Sequence, residues 1–272
     1  MKEHPRGRQT KDGIRIFETG DFAGMHAAGA VAAKILDDIA EYVFVGQTTG
    51  AIDRRIMEMV EEAGASSATI GYKGYKHASC ISVNHVVCHG IPSDKVLKDG
   101  DILNIDVTVI VDGWFGDTSR MFVAGKLPRK AQRLIQVTHD ALMLGIEAVK
   151  PGNTFGDIGF AIQSFVESHR MSVVRDFCGH GLGRVFHAPP NVLHYGRRGS
   201  GATLEEGMFF TIEPMVNLGR PETKTLSDDW TGVTRDKSLS AQFEHSVGVT
   251  ADGAEIFTLS PGGKFHPTYS SG

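Results

Sequence analysis

Ile102-Leu103-Asn104-Ile105-Asp106-Val107-Thr108-Val109-Ile110-Val111-Asp112-Gly113-Trp114-Phe115-Gly116-Asp117-Thr118-Ser119-Arg120-Met121-Phe122-Val123 decides the fold. The first ten residues alternate. Leu103, Ile105, Val107, Val109 and Val111 form one apolar face, and Asn104, Asp106 and Thr108 lie on the other. Asp112-Gly113 is a strong signal for a two-residue hairpin loop. With that loop Val111 pairs with Trp114, Thr108 faces Asp117 and Asp106 faces Ser119. Asp106 and Asp117 then become diagonal neighbours on one face, about 7–8 Å apart at Cα. Two acids so placed can converge on metal ions, although a polar hairpin face also carries acids for solvation alone.

Three further residues favour the metal reading. Glu213 interrupts Met208–Val216, an apolar strand in which an acid needs a partner or a cation. Glu244 lies in the predicted strand Ala241–Thr250 and faces the same way as Gln242 and Ser246. His180 stands in Cys178-Gly179-His180-Gly181-Leu182-Gly183, where glycines leave its imidazole unobstructed. Four carboxylates and one imidazole suit Mn, Fe(II) or Co better than a structural zinc. If carboxylates bridge two ions at about 3.5–4 Å, the site is of the two-metal hydrolytic kind.

The rest of the chain fits a single folded enzyme. Its 272 residues are 41% hydrophobic and 22% charged, with net charge −4. That balance argues against disorder and against a basic nucleic-acid binder. Glycine is abundant, 33 residues or about 12% against an average near 7%. The 12 histidines direct attention to metal or acid–base chemistry. Cys80, Cys88 and Cys178 are odd in number and lack a CxxC spacing, so neither a disulfide framework nor a cysteine zinc site is expected. With no signal peptide or membrane span in view, the cytoplasm is the expected compartment. Residues 1–16 and 261–272 are expected to be flexible ends. The remainder, 17–260, reads as one catalytic domain with halves of about 17–127 and 128–260.

Helical periodicity covers residues 22–43, 52–63, 129–149 and 156–169. Strand signals cover 80–87, 102–111, 114–123, 208–216 and 241–250. This order suggests duplication. Gly46-Gln47-Thr48-Thr49-Gly50-Ala51-Ile52 and Gly152-Asn153-Thr154-Phe155-Gly156-Asp157-Ile158 share GxTxGxI at an offset of 106. Leu97-Lys98-Asp99-Gly100 and Leu204-Glu205-Glu206-Gly207 follow at an offset of 107, which places Asp106 on Glu213. His85-Val86-Val87-Cys88-His89 has HxxxH spacing, but valine stands where a zinc protease needs glutamate. Read as strand, its two histidines would lie about 13 Å apart. No nucleotide fingerprint, GxSxG elbow or P-loop is present. His26, His139 and His169 read as ordinary helix residues.

These motifs make the chain resemble the type I methionine aminopeptidases, in their minimal bacterial form, from about Phe22 to Leu259. Beyond the Asp106, Asp117, His180, Glu213 and Glu244 segments, the resemblance rests on Cys88-His89-Gly90-Ile91-Pro92, on Phe186-His187 and on Thr211-Ile212-Glu213-Pro214-Met215. It implies an α/β "pita-bread" fold with two pseudo-symmetric halves, antiparallel sheet covered by helices, and a dinuclear site between them. It implies Asp106, Asp117, His180, Glu213 and Glu244 as ligands of two divalent ions, with Asp117 and Glu244 bridging. Co, Mn or Fe(II) are favoured, and zinc is admissible.

By the same resemblance Glu213 is also the general acid–base, His187 stabilises the carbonyl oxyanion and His89 contacts the scissile amide nitrogen. Tyr72, Tyr75, Cys80, Phe186 and Trp230 would wall a methionine pocket, with His89 at its mouth. The implied partners are the N-termini of nascent polypeptides, met near the ribosomal exit tunnel by a monomer, when the second residue is small and uncharged. Lys76, His85 and Phe177 depart from the family's usual residues, all expected near the pocket. Two other readings use the same fold. One is an interaction module that has lost its ligands, which the complete ligand set disfavours. The other is a proline-directed peptidase, whose relatives carry an extra N-terminal domain where here the first helix begins near residue 22.

Overall fold

Asp112-Gly113 forms the hairpin loop with positive φ at both residues, 49° and 79°, as a primed turn requires. The observed pairs are Val111–Trp114, Thr108–Asp117 and Asp106–Ser119, the register expected from the sequence. The structure is a computed structural model that describes residues 8–267. Four α-helices occur among them: α1 (Phe22–Asp38), α2 (Thr49–Glu62), α3 (Arg129–Glu147) and α4 (Phe155–Ser168). The strands are β1 (Ser66–Ser67), β2 (Ser79–Val83), β3 (Val86–Cys88), β4 (Asp101–Val111), β5 (Trp114–Ala124), β6 (Ser172–Val173), β7 (Gly179–Gly181), β8 (Ala188–Val192), β9 (Phe209–Ile212), β10 (Met215–Asn217), β11 (Thr223–Thr225), β12 (Gly232–Thr234), β13 (Ser240–Gln242), β14 (His245–Val249) and β15 (Ala254–Ile256). They form antiparallel sheets, of which the two largest are β1-β4-β2 with β5 on β4, and β15-β14-β9-β7-β8.

Each half packs helices on strands. Leu103, Ile105, Val107 and Val109 of β4 are buried against Ile35 and Leu36 of α1 and Ile52 and Ile56 of α2. In the second half Phe210 and Ile212 of β9 and Val247 of β14 share a core with Leu134 and Ile135 of α3 and Ile158 and Ile162 of α4. Each such side chain contributes roughly 1.5–3 kcal/mol by leaving water. Gly116 lets β5 approach α1 closely, since a Cβ there would stand 2.3 Å from the carbonyl oxygen of Ala28.

The duplication is repeated in hydrogen bonds. Gly46 N–H donates to Leu97 O at 2.9 Å and Gly152 N–H donates to Leu204 O at 3.1 Å. Gly50 N–H donates to Ser93 O at 2.7 Å and Gly156 N–H donates to Ser200 O at 2.8 Å. Thr48 caps α2 by accepting from Ala51 N–H, and Thr154 at the matching place exchanges hydrogen bonds with Asp157 at the start of α4.

Three strands expected to be continuous are broken. Residues 80–87 turn at Asn84-His85, where Asn84 has φ 56°, and become β2 and β3. Residues 208–216 divide at Glu213-Pro214 because proline has no N–H to continue the ladder. Residues 241–250 divide at Phe243-Glu244, where Glu244 N–H donates instead to Ser119 O of β5 at 3.0 Å.

Over their described parts the ends, expected to be flexible, pack against the domain. Gln9 pairs with Arg15, Ile14 and Phe17 are buried, and Phe17 N–H donates to Gly207 O. At the other end Asp37 accepts from the Ser260 hydroxyl and Gly262 N–H, while Arg120 donates to Asp37 and to Lys264 O. Residues 1–7 and 268–272, expected to be flexible, lie outside the described residues.

Arg120 and Asp37 form a buried ion pair, with side chains 3% and 6% exposed. Replacing Asp37 with alanine should therefore cost about 3–5 kcal/mol, because it strands a buried guanidinium. Denaturant unfolding checks this, and a midpoint unchanged from the parent protein would contradict it.

Candidate functional site

The two strand breaks and the β4–β5 hairpin meet at one place. Asp106 and Asp117 project from the hairpin, Glu213 from the β9–β10 break, Glu244 from the β13–β14 break and His180 from β7. All five line one cavity of about 1070 Å³. Asp117, His180 and Glu244 each offer a ligand atom within 4.8 Å of one another. His180 Nε2 lies 3.4 Å from Asp117 Oδ2 and 3.8 Å from Glu213 Oε1.

Hydroxyls and an amide hold the Asp117 and Glu213 carboxylates. Thr108 Oγ1 donates to Asp117 Oδ1 at 2.7 Å, and Thr211 Oγ1 donates to Glu213 Oε1 at 2.7 Å. Gln242 Nε2 donates to Glu213 Oε2 at 3.3 Å. The backbone carbonyls of Glu244 and Asp117 accept from the Thr118 and Ser246 hydroxyls. Asn104 donates to Ser119 Oγ and to Gln242 O, tying the hairpin to β13.

The electrostatics of the cluster are unfavourable to bare anions. Burial, then the charges of Asp117 and Glu213, push the Asp106 carboxyl well above the ordinary range. Burial followed by the same two neighbours does likewise for Glu244. Glu213 is pushed up to about 7, chiefly by burial. Burial works against a charged His180, yet its hydrogen bond to Asp117 and the charges of Glu213 and Asp117 raise it to about 9. The donor set therefore fits divalent cations: buried oxygen ligands, one imidazole and uncompensated negative charge that a cation would relieve. Among the described residues Lys73 is the one lysine or arginine that lines the cavity, and it stands with Tyr72 at the turn Tyr72–Gly74.

Tyr72, Tyr75, Cys80, Phe186 and Trp230 line the same cavity, together with His89 and His187. The rings fall into two groups. The Tyr75 ring lies 4.9 Å from that of Trp230, tilted by 50°, and His89 lies 6.2 Å from Trp230. Tyr72 lies 4.9 Å from Phe186 and 5.1 Å from His187, whose ring is 4.1 Å from that of His180. Burial, together with the neighbouring charge of His180, pushes His187 down to about 4, and Lys73 adds to that push. Burial also lowers His89. Both imidazoles are thus neutral at pH 7.

Of the three departures from the family pattern, only Phe177 lines the cavity, 5.5 Å from His89. Lys76 and His85 are exposed and lie outside it, because the Asn84-His85 turn carries His85 to the surface. One contact escaped the sequence altogether. His194 is fully buried and its Nε2 accepts the backbone N–H of Glu213 at 3.0 Å. A lone histidine in a loop carries no periodic signal by which to find it.

Comparison with known proteins agrees with this geometry. The family model described as metallopeptidase family M24 matches residues 23–251. A curated methionine aminopeptidase of Rickettsia prowazekii is 56% identical over 257 residues, covering 94% of this chain and 99% of the relative. That of Escherichia coli K12 is 53% identical over 248 residues, covering 90% and 94%. The crystal structure of the Rickettsia prowazekii methionine aminopeptidase superposes with a TM-score of 0.90 at 57% identity, covering 90% of this chain and all of that one. The chain belongs to metallopeptidase family M24, among its methionine aminopeptidases.

Proposed function

We propose that the chain removes the N-terminal methionine from polypeptides whose second residue is small and uncharged. The observation that carries this reading is the convergence of Asp106, Asp117, His180, Glu213 and Glu244 on one cavity walled by aromatic rings and Cys80. Asp106, Asp117, His180, Glu213 and Glu244 would hold two divalent ions. Mn, Fe(II) or Co suit the oxygen-rich set, and zinc is admissible. Such ions supply a water of lowered pKa and polarise the scissile carbonyl.

The chain's own groups supply the rest. Glu213 takes a proton from the attacking water and passes it to the leaving amine. Thr211 and Gln242 each hold one of its oxygens, which orients the carboxylate in the cavity. Neutral His187 donates a hydrogen bond to the developing oxyanion, and His89 contacts the scissile amide nitrogen. Tyr72, Tyr75, Cys80, Phe186 and Trp230 receive the methionine side chain. Sulfur–aromatic contacts contribute about 0.3–1.5 kcal/mol each and suit a thioether. The three cysteines are free, which supports a reducing cytoplasm where new N-termini are presented. No helix among the described residues is long and apolar enough to cross a membrane.

Hydrolysis of Met-Ala peptides should disappear on chelation and return with Mn, Fe(II) or Co. In the same assay Met-Lys and Lys-Ala should be poor substrates, and Met-Gly and Met-Ser good ones. Undiminished hydrolysis by protein shown to lack metal would sink the metal assignment, and Lys-Ala cleaved as fast as Met-Ala would sink the methionine assignment.

Glu213→Gln should lower kcat far more than it raises KM at equal metal content, since it removes the base while keeping the side chain's size. His187→Ala should lose about 2–4 kcal/mol of transition-state stabilisation, the scale of an oxyanion donor. Steady-state kinetics with bound metal measured alongside decides both, and near-normal kcat at full occupancy would remove either residue from its role.

A further inference from the structure

Lys73 is used by none of the chemistry above, yet it lines the cavity that holds the site. It sits at φ 46° in the turn Tyr72–Gly74, which sets it beside Tyr72. Its Nζ lies 5.3 Å from the centre of the Tyr72 ring, and that ring is 5.1 Å from His187. No carboxylate among the described residues forms an ion pair with it. If two divalent ions balance Asp106, Asp117, Glu213 and Glu244, Lys73 becomes the uncompensated charge at this end of the cavity. Asp12 and Asp176 line the cavity from other segments, and Asp176 is engaged by the hydroxyl and N–H of Thr223.

An extended peptide advances about 3.3 Å per residue. Lys73 Nζ is 5.3 Å from the Tyr72 ring and that ring 5.1 Å from His187, a separation of about the length that two to three extended residues span beyond a scissile carbonyl at His187. Charges at that separation are not fully screened, the Debye length being about 8 Å at physiological salt.

We propose that Lys73 selects substrates by charge beyond the second residue, favouring acidic side chains at the third and fourth positions and disfavouring basic ones. This rests on the methionine-excision reading above and adds a determinant outside the methionine pocket.

The test compares kcat/KM for Met-Ala-Glu-Ser, Met-Ala-Gln-Ser and Met-Ala-Lys-Ser in the metal-loaded parent, Lys73→Met and Lys73→Glu enzymes. The parent should prefer Glu over Lys by about threefold or more, on the scale of an exposed ion pair. That ratio should fall towards one in Lys73→Met, reverse in Lys73→Glu and shrink with added salt. The Gln peptide monitors basal turnover, so loss of its cleavage in the parent would count against methionine excision itself. A Glu-to-Lys ratio unchanged by the substitutions, or a parent preference for Lys set by Asp12 or Asp176, would overturn the proposal.

Discussion

Mutual repulsion among buried carboxylates is the constraint on which the structure turns. Asp117 and Glu244 are each 3% exposed, and Asp106 and Glu213 share their cavity. Isolated, each would pay a heavy desolvation cost, and together each penalises the others. His180 relieves part of that charge by sitting against Asp117 and Glu213. A fold tolerates such a cluster only when its carboxylates are held rigidly and a cation or protons complete it. The hydroxyls of Thr108 and Thr211, and the amide of Gln242, hold Asp117 and Glu213.

The scaffold keeps that conflict local. Two helix-on-sheet layers, matched through the Gly46–Leu97 and Gly152–Leu204 contacts, provide apolar cores on either side of the junction. Glu213 and Glu244 stand where the chain leaves one sheet for another, and Asp106 and Asp117 share their cavity from within β4 and β5. Pro214 ends one ladder just after Glu213, and Glu244 pairs across to Ser119. A carboxylate at such a break can turn into the cavity without interrupting a strand that the core depends on.

Much of this was legible because alternation and turn chemistry are local. Leu103 to Val111 and Asp112-Gly113 fix the hairpin register, and the repeated GxTxGxI segments announce two halves. Asp106 and Asp117 could be proposed as neighbours on the hairpin's polar face, Glu213 as an acid in an apolar strand, His180 as a glycine-flanked imidazole and Glu244 as a strand-borne acid. The breaks at Asn84-His85 and Phe243-Glu244 were not legible, since both depend on pairing with distant segments. The cover over Ile14 and Phe17, and the Asp37–Arg120 clasp on the tail, are likewise tertiary. So is His194, whose only mark is a contact with the Glu213 backbone. The exposure of Lys76 and His85 shows the reverse case, residues expected near the pocket from the family resemblance, with His85 carried to the surface by the Asn84-His85 turn.

The most direct measurement of the central claim is the number of protons released when Mn is titrated into metal-free protein at pH 7, by calorimetry in two buffers of different ionisation enthalpy. Burial and like charge hold Asp106 and Glu244 well above the ordinary carboxylate range and Glu213 near 7. Both effects favour the protonated carboxyl, whereas ligation requires the ionised one, so metal binding should displace protons. The expected result is release of about one or more protons per chain, with affinity rising as pH rises. Binding without proton release, at an affinity independent of pH, would contradict the picture of a carboxylate cluster held in electrostatic conflict until cations enter.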